Sequence, residues 1–168
     1  MKNRNEEIII HPFPPVSDQH SRVLVLGTMP SPQSRKAEFY YAHPQNRFWR
    51  LLGKLFDYPP PVTVEEKSVL LLNQQIALWD VLASCRISGA ADASIREPIA
   101  NDLGRVLDKA NIQAIFCNGG KAYELYRRLC QPLTGREAIP LPSTSPANCR
   151  LGMEKLTEEW RAILRHLG

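Results

Sequence analysis

The chain has 168 residues, of which 43% are hydrophobic and 23% charged, and a net charge of +4. That size and balance suit one domain with a buried core, and the positive excess permits contact with a polyanion without demonstrating it. No apolar run approaches the roughly 20 residues a membrane span needs, and the polar start Met1-Lys2-Asn3-Arg4 does not read as a secretory signal.

Taken in chain order, the first 20 residues are Pro-rich and polar, and read as a loosely attached arm. Arg22 to Leu26 (RVLVL) is a short apolar run ending at Gly27, which predicts a buried strand and a tight turn. Thr28 to Gln45 contains three prolines and no helical period, so a long loop is expected there. Asn46 to Phe56 has Phe48, Trp49, Leu51, Leu52 and Leu55 at helical spacing. Thr63 to Gln74 opens with Thr-Val-Glu-Glu, the Thr-x-x-Glu form of a capping box, and predicts a second helix. Ile76 to Val81 reads as a strand, Ser84 to Arg96 as a loop, and Glu97 to Ala110 as a third helix through Ile99, Leu103, Val106 and Leu107. Ile112 to Cys117 predicts a strand, Lys121 to Cys130 a helix, Ala138 to Leu141 a short strand and Leu156 to Leu167 a closing helix.

Strands alternating with helices predict an α/β fold with a parallel sheet covered by helices, a three-layer sandwich. Ligands of such sheets bind beyond the carboxyl ends of the strands. Four loops leave strand ends here, after Leu26, Val81, Cys117 and Leu141. They hold most of the unusual composition: GTMPSP, ASCRISGAADAS, NGGK and PSTSPAN. The chain reads as a single domain over residues 1–168.

Four cysteines (Cys85, Cys117, Cys130 and Cys149) form no CxxC pair and match neither a zinc ribbon nor an iron–sulfur spacing. Reduced thiols in a cytoplasmic protein are expected, with no metal and no other cofactor. GTMPSP lacks the Gly-Lys-Ser/Thr ending of a Walker loop and is not GxGxxG. Phe39, Tyr40 and Tyr41 cannot all face the core, so one ring is available for stacking on a nucleobase, an interaction worth roughly 1–3 kcal/mol. His43 suits a base or a phosphate contact, and Asn46 a helix cap or an anion- or water-holding amide. Asn118-Gly119-Gly120-Lys121 and the hydroxyls of Ser143, Thr144 and Ser145 suit DNA phosphates, and equally suit ordinary turns. Asp80, at a strand end, suits a ligand N–H or a turn cap.

In their order along the chain, GTMPSP, YYAHPQNRFW, NGGKA and PSTSPAN resemble the uracil-DNA glycosylase superfamily, and within it the hypoxanthine-DNA (deoxyinosine) glycosylase branch. The resemblance runs from about Arg22 to Asn148. It implies a four-stranded parallel sheet and a pocket for a flipped deaminated base. Met29 stands where relatives often carry an acidic or amide residue, and Leu141 precedes Pro142-Ser143 where they often carry His or Asn. Both departures fit the hypoxanthine branch, in which the Asn of the HPxNRFW segment takes over; here that is Asn46.

The roles the resemblance implies are these. The Asn46 carbonyl orients a water toward C1′. The backbone N–H groups of Thr28 and Met29 bind the base, Tyr41 stacks on it, and Asp80 reads N1–H. His43, Asn118, Lys121, Ser143, Thr144 and Ser145 contact the DNA. The expected product is an abasic site, left by a monofunctional, monomeric enzyme acting on double- or single-stranded DNA. Uracil or mismatched thymine as the base, an enzyme of free nucleosides, and a non-catalytic DNA-binding module are the alternatives.

Overall fold

The computed structural model describes residues 6–88, 91–148 and 150–168. Two sheets organise it. The first is parallel and four-stranded, built from β2 (Val23–Gly27), β3 (Ile76–Asp80), β6 (Ala114–Asn118) and β7 (Ile139–Leu141) in the order β3-β2-β6-β7. The register sets Gly27 beside Asp80 and Asn118 beside Leu141, so the chemistry-bearing residues fall at the strand ends. Every residue of β2, β3 and β6 is buried, as expected of parallel strands covered on both faces. Helices flank this sheet, as the sequence predicts.

The helices form where local signals call for them. In α2 (Phe48–Phe56) the apolar face is buried through Phe48, Trp49, Leu51, Leu52 and Leu55. In α3 (Val64–Asn73) the Thr63 hydroxyl accepts from Glu66 N–H at 3.0 Å, the predicted cap. After β6, α5 (Gly120–Leu125) runs through a π-helical turn (Tyr126–Cys130) into α6 (Gln131–Thr134). The closing α7 (Met153–Trp160) buries Leu156 and Trp160 and passes into a 3-10 turn at Arg161–His166.

Four expectations are corrected. The segment Thr28 to Gln45 is not all loop, because it contains α1 (Pro32–Ala37). There the Ser31 hydroxyl caps Ser34 N–H, and Pro32 occupies the first turn, where no N–H is needed. The N-terminal arm is not loose. Its β1 (Glu6–Ile10) pairs antiparallel with β4 (Leu82–Ser88), residue for residue from Glu6↔Ser88 to Ile10↔Ser84. Val16 and Leu78 exchange both backbone hydrogen bonds, and Tyr40 donates to Pro14 O at 2.9 Å. Much of the expected loop Ser84 to Arg96 is therefore strand; Gly89 and Ala90 of it lie outside the described residues.

The third helix is also shorter than its apolar spacing suggests. Arg96–Ala100 is β5, which completes a three-stranded antiparallel sheet in the order β1-β4-β5. Only Gly104–Leu107 is α-helical (α4). Asn101 decides this, because its backbone N–H donates to Val81 O while its side chain donates to Asp80 O and Leu82 O. Those three tertiary bonds outweigh the helical period.

Cys85, Cys117 and Cys130 are buried free thiols. Burial pushes Cys117 up to about 12 and Cys130 up to about 11. Cys149 lies outside the described residues.

Candidate active site

The loops beyond β2, β3, β6 and β7 meet around one cavity of about 400 Å³. Gly27 opens its floor. A Cβ at this position would collide with Asp80 Oδ1 and lie 2.8 Å from Tyr41 Oη, so only glycine lets these two groups approach the strand end. Beyond Gly27, the backbone N–H groups of Thr28 and Met29 donate to no acceptor among the described residues. The loop is held from behind, since Gly27 O and Thr28 O accept from Val81 N–H and Leu82 N–H, and Arg35 Nη1 donates to Pro30 O. Met29 also lines the cavity while packing on the core.

The three consecutive aromatics divide as their number requires. Phe39 and Tyr40 are buried in the core, and Tyr41 lines the cavity with its ring tilted over Phe48, centroids 4.3 Å apart. Tyr41 has φ +52°, uncommon for a non-glycine residue and a conformation found at ligand-binding turns. Its Oη is buried without a hydrogen-bond partner among the described residues, and Asn118 beside it turns its amide to Thr144. Burial, then the negative charge of Asp80, push the Tyr41 hydroxyl far above its usual pKa, so it meets a ligand as a neutral phenol.

Asp80 is buried, and its Oδ2 lies 2.8 Å from His11 Nε2, which donates to it. His11 rests edge-on against Phe13, centroids 4.7 Å apart, and its Nδ1 is buried without a partner among the described residues. Nothing in the local pattern around His11 marks it. It reaches the site because β1 pairs with β4 and the residues after it run on to pair Val16 with Leu78 of β3.

Asn46 lines the cavity two residues before α2. Its carbonyl oxygen does not face a ligand as expected. Oδ1 accepts from Phe48 N–H at 3.0 Å and from Thr144 Oγ1 at 2.8 Å. Two of the expected DNA contacts are corrected as well. Thr144 is fully buried and Asn118 nearly so; their side chains bond to each other rather than to a phosphate. Ser143, Ser145 and His43 line the cavity. Their side chains already accept backbone N–H bonds, Ser143 from Ser145, Ser145 from Ala147 and His43 Nδ1 from Gln45, which stiffen the two loops. Lys121, at the start of α5, lies outside the cavity wall with its ammonium 3.6 Å from Glu124.

Arg47, next to Asn46, is a residue the sequence reading passed over. Its backbone N–H donates to Thr144 O, and its guanidinium donates to Leu151 O at 2.5 Å and Asn148 O at 2.8 Å. It staples the loop after β7 to the start of α2, and Trp160 Nε1 holds the same loop through Pro142 O. A cationic fork beside an amide in AHPQNRFW was the available signal.

Comparisons with known proteins agree with this architecture. Residues 14–168 match the family model described as Uracil DNA glycosylase superfamily. A hypoxanthine DNA glycosylase of Methanosarcina acetivorans is 35% identical over 156 residues, covering 92% of this chain and 97% of that protein. A hypoxanthine DNA glycosylase of Methanosarcina barkeri is 34% identical over 140 residues, covering 82% and 87%. The solution NMR structure of a candidate uracil DNA glycosylase from Methanosarcina acetivorans has a TM-score of 0.78 at 34% identity, over 95% of this chain and 98% of that one.

Proposed function

This chain belongs to the uracil DNA glycosylase superfamily, and from that premise we propose that it removes a deaminated base, hypoxanthine, from DNA. The observation that carries the reading is the convergence on one cavity of the Asn46 amide, the free N–H groups of Thr28 and Met29, the Tyr41 ring and the Asp80 carboxyl. Two relatives that cover most of the chain bear the name hypoxanthine DNA glycosylase.

An enzyme acting on a base in DNA must take it out of the stack. Tyr41 offers its ring to the flipped base, and Asp80 accepts from N1–H of hypoxanthine, a hydrogen that adenine lacks. In the reaction a water oxygen bonds to C1′ and the C1′–N9 bond breaks. Its electron pair leaves with the base, which ends with one proton of that water. The sugar passes through an oxocarbenium-like state, and the Thr28 and Met29 N–H groups stabilise negative charge developing on the base. No lysine lines the cavity among the described residues, so the product is an abasic site in an unbroken strand. Ser143, Ser145, His43 and Lys121 meet the DNA backbone, single- or double-stranded. The described residues act as one domain, and the protein works as a monomer, in the cytoplasm.

Purified protein is incubated with duplexes containing one deoxyinosine, one deoxyuridine or one mismatched thymidine, then treated with alkali to break abasic sites. Cleavage at deoxyinosine, lost in Asn46→Ala, is expected. Cleavage confined to uracil rejects hypoxanthine while keeping the family, and cleavage of none rejects the enzyme.

A further inference from the structure

The two ends of the Asn46 amide are not equivalent. A carbonyl oxygen has two lone-pair sites, and Oδ1 fills both, with Phe48 N–H at 3.0 Å and the Thr144 hydroxyl at 2.8 Å. Turning the amide over would set its NH₂ group against the Phe48 N–H, donor facing donor. The backbone donor cannot rotate away, so it fixes which atom is oxygen.

The Thr144 hydroxyl is fixed in the same way. It accepts from Asn118 Nδ2 at 3.0 Å, and Asn118 Oδ1 accepts from Thr144 N–H at 3.0 Å. That backbone N–H orients the Asn118 amide. The Asn118 amide makes the Thr144 oxygen an acceptor and leaves its hydrogen for Asn46. Each hydrogen in this relay has one place to go, and Thr144 is buried from solvent. The only end of the Asn46 amide with no partner among the described residues is Nδ2, a donor.

We infer that Asn46 acts as a hydrogen-bond donor to the departing base, and that Thr144 and Asn118 are positioning residues that hold it in that sense. The inference rests on the glycosylase reading above. An amide N–H has no lone pair with which to take or point a water proton, so it serves the leaving group. As the C1′–N9 bond breaks, its electron pair spreads over the purine nitrogens and oxygen. A donor locked in place binds that charge more strongly than the neutral base before cleavage, which is the condition for catalysis.

Asn46→Asp separates this from its rivals. A carboxylate accepts the same two hydrogen bonds and suits a helix start, so the variant folds. It has no donor to offer the base. Its single-turnover rate on deoxyinosine falls by about 10²–10³-fold, the cost of losing one such donor. A residue that only caps α2, or one that oriented a water through its oxygen, would work as well or better as Asp. Retained or raised activity in Asn46→Asp therefore overturns the inference.

Thr144→Val keeps the shape and removes the relay hydrogen. Its single-turnover rate falls by about 10- to 100-fold, as expected of a displaced catalytic group, while DNA affinity is unchanged, and Thr144→Ser restores the rate. A folded Thr144→Val at full rate, or a Thr144→Ser no better than Thr144→Val, overturns the positioning role. If the wild type removes uracil instead, the same variants are read on uracil with the same expectations. A wild type that removes no base overturns the functional reading and this inference with it, whereas an active wild type with active Asn46→Asp overturns the inference alone.

Discussion

The two sheets meet water in opposite ways. The central strands of the parallel sheet are buried along their whole length, whereas on β1 Ile9 is buried between Ile8 and Ile10, which are 62% and 72% exposed. The buried sheet builds the cavity, because its register aligns Gly27 with Asp80 and brings Asn118 to the loop after β7. The half-exposed sheet gives the site little surface. It carries the chain to His11 and so supplies the partner of Asp80. One sheet is a scaffold that loops decorate, and the other is a brace that fixes one carboxyl group.

If that division holds, the largest stability loss belongs to the parallel core. Phe116 is fully buried in β6, between Val25 of β2 and Ile139 of β7. Phe116→Ala is expected to cost about 3–5 kcal/mol in a urea unfolding titration, through lost burial and the void left behind. A loss below 1 kcal/mol would deny this sheet its place as the centre of stability. His11→Ala should cost less, about 1.5–3 kcal/mol, the range for a hydrogen bond to a charged group. It should also slow excision of deoxyinosine, because Asp80 Oδ2 loses the donor that holds it. If His11→Ala leaves stability and excision unchanged, the antiparallel sheet is a separate appendage and the comparison fails.

The same contrast explains what the sequence disclosed. Strands β2, β3 and β6 announce themselves as apolar runs closed by Gly27, Asp80 and Asn118, and α2 and α3 through spacing and a cap. The antiparallel strands carry no such signal. Glu6–Ile10 (EEIII) shows no alternation, Leu82–Ser88 (LASCRIS) mixes apolar and polar residues without a clean period, and Ile99, Leu103, Val106 and Leu107 fit a helical period that Asn101 overrides through bonds to Val81, Asp80 and Leu82. In the site, Asn46, Tyr41 and the serines of the PSTSPAN loop stand in linear motifs and can be found there. His11 and the burial of Thr144 depend on partners 69 and 98 residues away, a separation no local window spans. Both hydroxyl and amide at Thr144 and Asn118 look like phosphate ligands in sequence; in the fold they bind each other.

The smallest expected effect sharpens the comparison from the other side. Thr63 is a device written wholly in local sequence. Its hydroxyl caps α3 through Glu66 N–H, and Glu66 Oε2 reaches back to Val62 N–H at 3.0 Å, one residue earlier than the usual box. Thr63→Ala should cost about 1 kcal/mol, the typical value for a lost N-cap. Excision should be unaffected, since neither Thr63 nor Glu66 lines the cavity. Unfolding and single-turnover excision measured on this variant check both halves. A loss as large as that of His11→Ala would mean that α3 depends on its cap more than on burying Leu70 and Leu71. Local signals would then carry this fold as far as tertiary contacts do, whereas a loss near 1 kcal/mol with full activity keeps the order in which partners distant in sequence hold both the core and the site.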